Sequence, residues 1–217
     1  MSDFESRSAA EPADPDVEAP ARKRPKPGER RVQILQALAA MLEQPGGERI
    51  TTAGLAARLE VSEAALYRHF ASKAQMFEGL IEFIEQSVFS LISQITTTGA
   101  GDGRQQVARI VAMLLQFGEK NPGMARVMVG DALVFENERL QQRMNLFFDK
   151  IESVLRQSLR DGALGEGSST PGLDAQVQAV VLTAFVVGQL QRFTRSGFRR
   201  VPTDKLDACL SRMLFIA

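Results

Sequence analysis

From Glu29 almost to its end, the chain places apolar residues at spacings of three and four, and no stretch alternates apolar with polar residues. A chain that carries only the helical period can bury its apolar faces only by packing helices, so the expected fold class is all-α. The first helix spans Arg30 to Gln44, with Ile34, Leu35, Leu38, Met41 and Leu42 on one face, and stops at Pro45-Gly46-Gly47. Further helices are predicted over Ser72 to about Ile95, Arg104 to Lys120, Asn137 to Leu159 and Leu173 to Ser196, with a short one after Pro202. Asn121-Pro122 is read as the cap and first residue of another. With 44% hydrophobic residues among 217, the chain has the material for a substantial core.

Between the first helix and Ser72, Thr51 to Phe70 reads as two short helices joined by a tight turn. Thr51 or Thr52 caps the first, which carries Leu55, Ala56 and Leu59. Ser62 caps the second, and Val61 before the cap with Leu66 at the fourth helical position forms a hydrophobic staple that fixes the entry angle. At about 100° per residue, Leu66 and Phe70 point inward while Ala64, Ala65 and Arg68 point outward, flanked by Tyr67 and His69. That face suits a DNA major groove: small residues permit close approach, Arg68 can read a guanine, and Tyr67 and His69 can reach the bordering backbones. Ser72 caps the next helix, and Lys73 in its first turn opposes the helix dipole by about 0.3 to 1 kcal/mol. A phosphate bound there would remove the conflict. Glu60 stands where the turn favours glycine, so a left-handed backbone with strain of about 1 kcal/mol is expected at that residue.

Net charge is zero but unevenly spread. Asp3, Glu5, Glu11, Asp14, Asp16 and Glu18 face only Arg7, after which Arg22, Lys23, Arg24, Lys26, Arg30 and Arg31 are set against Glu29. With five prolines up to Pro27, residues 1–27 are expected to be a disordered acidic-then-basic tail whose basic part lies beside the candidate DNA-binding unit. The polar, acidic start has no signal-peptide pattern, and the apolar runs of Val177 to Leu190 are broken by Gln178, Thr183 and Gln189, so no membrane span and a cytoplasmic protein are expected. The lone Cys209 reads as a small buried apolar residue.

The run ITTAGLAARLEVSEAALYRHFASKAQMF, Ile50 to Phe77, resembles the DNA-binding domain of TetR-family regulators. With LIEFIEQS, FGEKNPG, DALVFENERLQQRMN and RFTRSGFRRVPTD, it is similar to the nucleoid occlusion factors of that family over nearly all of Arg30 to Arg212. The resemblance implies a TetR-like fold: an N-terminal three-helix helix-turn-helix DNA-binding domain, residues 28–73, and a helical dimerisation and partner-binding domain, residues 74–217. It also implies a nucleoid-associated homodimer that binds palindromic double-stranded DNA and, when bound, antagonises assembly of the tubulin-like division protein FtsZ. Residues matching Tyr67, His69 and Lys73 contact phosphate in that family. Residues matching Phe83, Met113, Gln116, Lys120 and Asn121 belong to the FtsZ-binding groove, and Leu91 and Gln116 depart from its pattern.

Periodicity bears on the partner surface separately. Phe77, Leu80, Ile81, Ile84, Val88, Leu91, Ile92 and Ile95 form one core stripe, with Phe83 about 120° away, and Val107, Ile110, Val111, Leu114 and Phe117 form the next. An exposed aromatic near Met113, Gln116 and Lys120 is a docking patch. Leu140, Met144, Phe147, Phe148, Ile151, Leu155 and Leu159 stripe one late helix, and Val177, Val180, Val181, Ala184, Phe185 and Gly188 the other, which suits a two-fold four-helix bundle. With one histidine and one cysteine there is no metal cluster, cofactor motif or catalytic triad, so no enzyme is expected. A competing reading is a ligand-responsive repressor of the wider TetR family, which a cavity with convergent polar groups would favour.

Overall fold

The computed structural model describes residues 28–44, 50–98, 102–162 and 170–214; the predicted acidic-then-basic tail up to residue 27 and the stop at Pro45-Gly46-Gly47 lie outside them. Among the described residues the elements are α1 Glu29–Leu42, α2 Thr52–Arg58, α3 Glu63–Tyr67, α4 Lys73–Thr98, α5 Gly103–Lys120 and α6 Pro122–Met128. A 3-10 turn at Asp131–Leu133 precedes α7 Glu138–Gly162, α8 Pro171–Arg195 and α9 Leu206–Leu214. The fold is all-α, as the period predicts.

Helix boundaries follow local chemistry. Thr51 and Ser62 hold extended backbone and accept from the N–H groups of Gly54 at 3.1 Å and Ala65 at 3.3 Å. Ser72 Oγ accepts from Gln75 N at 3.2 Å at the start of α4, and Asp102 Oδ1 accepts from Arg104 N at 3.0 Å at the start of α5. Asn121 departs from expectation: its side chain makes no cap to α6 and instead donates Nδ2–H to the Phe117 carbonyl at 2.8 Å, satisfying the last turn of α5. Pro122 alone opens α6, where its missing N–H is not needed.

Packing builds one core. Ile34, Leu38 and Leu42 of α1, Leu55 of α2, and Leu66 and Phe70 at the end of the helix pair are buried, each contributing about 1.5 to 3 kcal/mol. The core continues through Phe77, Leu80, Ile84 and Val88 of α4, Val107, Ile110, Val111 and Leu114 of α5, and Met144, Phe147, Ile151 and Leu155 of α7. Leu91, expected on the α4 stripe, is instead 37% exposed, and Phe117 is half-buried.

Three ion pairs lace α4 to the chain around and within α7: Lys73 with Glu136, Glu78 with Arg139, and Glu85 with Arg143. The hydrogen bonds to Glu85 raise the Arg143 pKa above its usual value, against the effect of burial and with help from Glu82 and Glu78. α6 joins the helix pair's support to the rest of the body: Gly123 packs against the backbone carbonyl of Ala39, and Arg126 donates to the carbonyl of Leu42 at 3.1 Å. The end of α8 and the segment after it are tied to this same region, with Thr194 Oγ1 donating to Asp131 at 2.9 Å and Thr203 Oγ1 to Glu119 at 2.5 Å.

α8 presents two apolar faces. Its core face is Ala175, Ala179, Leu182, Val186, Leu190 and Phe193, whereas the stripe read from the sequence lies largely outside: Val177, Val180, Val181 and Ala184 are exposed, and Phe185 and Gly188 half-buried. A Cβ at Gly188 would meet nothing within 4 Å. By length and composition α8 also passes as a membrane span, with mean hydropathy 1.4 over an eighteen-residue window, because its second apolar face fills the gaps between the polar residues that break the runs.

Candidate nucleic-acid interface

The turn between α2 and α3 closes as a Schellman motif. Val61 N donates to Ala56 O at 3.0 Å and Glu60 N to Ala57 O at 3.1 Å, which requires a left-handed residue between them. Glu60 supplies it at φ 53°, as predicted for a non-glycine residue under strain. Half-buried Val61 and buried Leu66 then bracket the start of α3. Thr52 is less open than the sequence suggests: half-buried, its Oγ1 donates to Glu63 Oε2 at 2.6 Å and ties the start of α2 to the start of α3.

The outward face of α3 carries Ala64 and Arg68, both exposed, and Tyr67 at 44% exposure, beside the exposed caps Thr51 and Ser62. Ala65 and His69 are half-buried and stand at the margin of this face. Arg31 was read with the basic arm, but it is a clamp: Nη1 donates to the His69 carbonyl at 2.7 Å, and the guanidinium sits 4.2 Å from the centre of the Phe70 ring. It holds α1 against the end of the recognition element.

Lys73 faces a carboxylate. Its Nζ pairs with half-buried Glu136 and lies 5.7 Å from the Phe77 ring. The anion predicted beside this cation at the start of α4 is thus supplied by the chain itself. Nothing in the sequence marked Glu136, which lies 63 residues away.

A second surface lies on α4 and α5, which pack on one another. Phe83 is 49% exposed, Gln116 and Lys120 are exposed, and Met113 is half-buried against the core. Asn121 is half-buried with its amide turned to Phe117. Cys209 is half-buried and lines an open groove between α8 and α9.

Residues 34–80 match the family model "Bacterial regulatory proteins, tetR family", and residues 102–215 match "Tetracyclin repressor-like, C-terminal domain" of the SlmA-like type. Nucleoid occlusion factor SlmA of Vibrio cholerae serotype O1 is 52% identical over 179 residues, which are 82% of this chain and 90% of that protein. The chain belongs to the SlmA family of nucleoid occlusion factors. SlmA of Photobacterium profundum is 51% identical over the same shares of both chains. Among solved structures, the fatty acid degradation regulator FadR from Bacillus halodurans matches with a TM-score of 0.71 at 15% identity, covering 86% of this chain and 95% of its own. FadR from Bacillus subtilis in complex with stearoyl-CoA matches at 0.68 and 14%, covering 84% and 97%. At such identities these two show the TetR fold alone. In SlmA-family terms, α2 and α3 are the helix-turn-helix, and α4 to α9 the body matched in part by the second model.

Proposed function

We propose that the protein acts as a two-fold homodimer that binds palindromic double-stranded DNA on the nucleoid and, in that state, inhibits assembly of FtsZ in the cytoplasm, so that septation over the nucleoid is blocked. The observation that carries this reading is the identity of about half to nucleoid occlusion factors across nine-tenths of their length. Residues 28–73 serve as the DNA-binding unit and residues 74–217 as the dimerisation and partner-binding unit.

In the DNA-bound state Ala64, Ala65 and Arg68 face base edges in the major groove, while Thr51, Thr52, Ser62, Tyr67 and His69 meet the flanking backbones. Lys73 joins them by exchanging Glu136 for a phosphate. A lone α3 reads too few bases for a specific site, so a second copy related by a two-fold axis supplies the other half. Leu173, Val177, Val180 and Val181, between 45% and 61% exposed, give α8 an apolar face suited to that copy, and Leu146 on α7, 58% exposed, adds to it.

FtsZ docks on α4 and α5, with Phe83 as the aromatic anchor and Met113, Gln116, Lys120 and Asn121 around it. Leu91, exposed on α4, extends the apolar part of this surface. The repressor alternative has less support. The groove between α8 and α9, and another lined by Thr96, Gly103, Gln106, Val154 and Ser158, both open to solvent, and the helix faces inside the body carry the buried Phe77, Ile84, Ile110, Leu114, Phe147 and Leu155.

Binding of purified FtsZ to the DNA-loaded protein tests the reading. Phe83→Ser is expected to abolish FtsZ capture and leave DNA affinity within about twofold, since removing an interface anchor costs about 2 kcal/mol or more. Capture undiminished by Phe83→Ser would contradict the assignment of this surface.

A further inference from the structure

We infer that the groove between the end of α8 and the start of α9 is a second nucleic-acid contact, which holds the phosphate backbone of duplex DNA at the centre of the bound site. This rests on the DNA-binding reading above and extends it to a surface outside the helix-turn-helix.

The groove, about 850 Å³, is lined by Arg192, Arg199, Arg200 and Lys205, with Asp204 as the one carboxylate among the described lining residues. All four cations are exposed. Among the described residues no carboxylate is paired with Arg192, Arg200 or Lys205, and Arg199 spends only Nε, donated to the Ser196 carbonyl at 2.9 Å. Four exposed cations beside one carboxylate give the groove a positive field that attracts an anion.

The loop that carries Arg199, Arg200 and Lys205 is firmly built. Phe198 and Lys205 hold positive φ of 64° and 56° without being glycine, a conformation that persists only where the surroundings enforce it. Those surroundings are the Phe193 ring, 5.2 Å from that of Phe198, the Arg200 N–H donated to Ser196 Oγ at 2.8 Å, the buried Pro202 and the Thr203 bond to Glu119. The Phe198 N–H also donates to the Phe193 carbonyl at 3.0 Å, which closes the end of α8 and fixes where the loop leaves it.

Placement selects the anion. Thr194 binds Asp131 and Thr203 binds Glu119, while α6 between them packs on α1, so the groove lies at the end of the body nearest the helix-turn-helix. Arg192 stands three turns beyond Val181 on the same side of α8, in line with the apolar face that the dimer reading gives to the second copy. In the proposed dimer this side of α8 faces the second copy, so two such grooves would stand near the two-fold axis, over the middle of the site. Duplex DNA held at two half-sites presents its central phosphates at that position.

The test is fluorescence anisotropy over a salt series, with a duplex that the protein itself enriches from a random pool. Arg200→Ala/Lys205→Ala removes two cations per protomer and four per dimer. The slope of log affinity against log salt is expected to become shallower by roughly 3 to 4, with base preference unchanged. Neutral methylphosphonates at the central phosphates should weaken the wild-type protein and weaken the double variant clearly less, a result that loss of a distant charge would not give. An unchanged slope in a variant with wild-type circular dichroism and dimer mass would overturn the proposal, including the case in which the acidic residues before Ala21 fill the groove. The DNA-binding reading would survive that result so long as Arg68→Ala still alters base preference; failure of the wild-type protein to retain any duplex would sink both.

Discussion

Arg68 and Lys73 are near neighbours in sequence with different surroundings. Arg68 is exposed at the outer face of α3, and no carboxylate among the described residues is paired with it. Arg68→Ala is therefore expected to relax preference at one base pair by about 1 to 3 kcal/mol, visible as a flattened position in a selection from random duplexes. Lys73 is held by Glu136, so the phosphate contact proposed for it requires an exchange of partners. Lys73→Ala should weaken all duplexes alike and reduce the salt slope by about one per protomer, whereas Glu136→Gln should tighten binding. Weaker DNA binding in Glu136→Gln with an intact fold would contradict the exchange. The local half of this site was legible: caps at Thr51 and Ser62, the staple at Val61 and Leu66, and the strained Glu60 are all set by residues within a few positions of one another. Glu136 and the Arg31 clamp were not, because those contacts join segments that only the tertiary fold brings together.

Among the elements, α8 carries two apolar faces, and the stripe read from the sequence is the one turned away from the core, where a bundle formed by two copies needs it. Both sides of this helix are apolar, so the pattern does not say which side meets α7 and α5 and which is left for another chain. Elements with one apolar stripe, such as α7 with Leu140, Met144, Phe147, Ile151, Leu155 and Leu159, had a single legible solution. α6 carries the tightest joint. A Cβ on Gly123 would run into the Ala39 carbonyl, a backbone atom that cannot turn aside. Gly123→Ala is expected to destabilise the fold by about 1 to 3 kcal/mol, read from denaturant unfolding. Stability equal to wild type would mean that α1 and α6 are not in close contact.

In the whole molecule, DNA recognition, pairing of two copies and the α4–α5 surface converge on one assembly. Val177→Asp/Val181→Asp places charge on the apolar face of α8, outside the monomer core. It should give a folded monomer by sedimentation whose affinity for a two-half-site duplex falls by about 10²- to 10⁴-fold, the loss expected when two linked contacts become one. A dimer with undiminished affinity would place the pairing surface elsewhere. The central claim is that DNA-loaded protein restrains FtsZ, and sedimentation of FtsZ polymers tests it most directly. With a selected palindromic duplex, wild-type protein should move FtsZ from pellet to supernatant, protein without DNA should do so far less, and Phe83→Ser should fail with DNA bound. Pelleted FtsZ unchanged by the DNA-loaded wild-type protein would contradict the account.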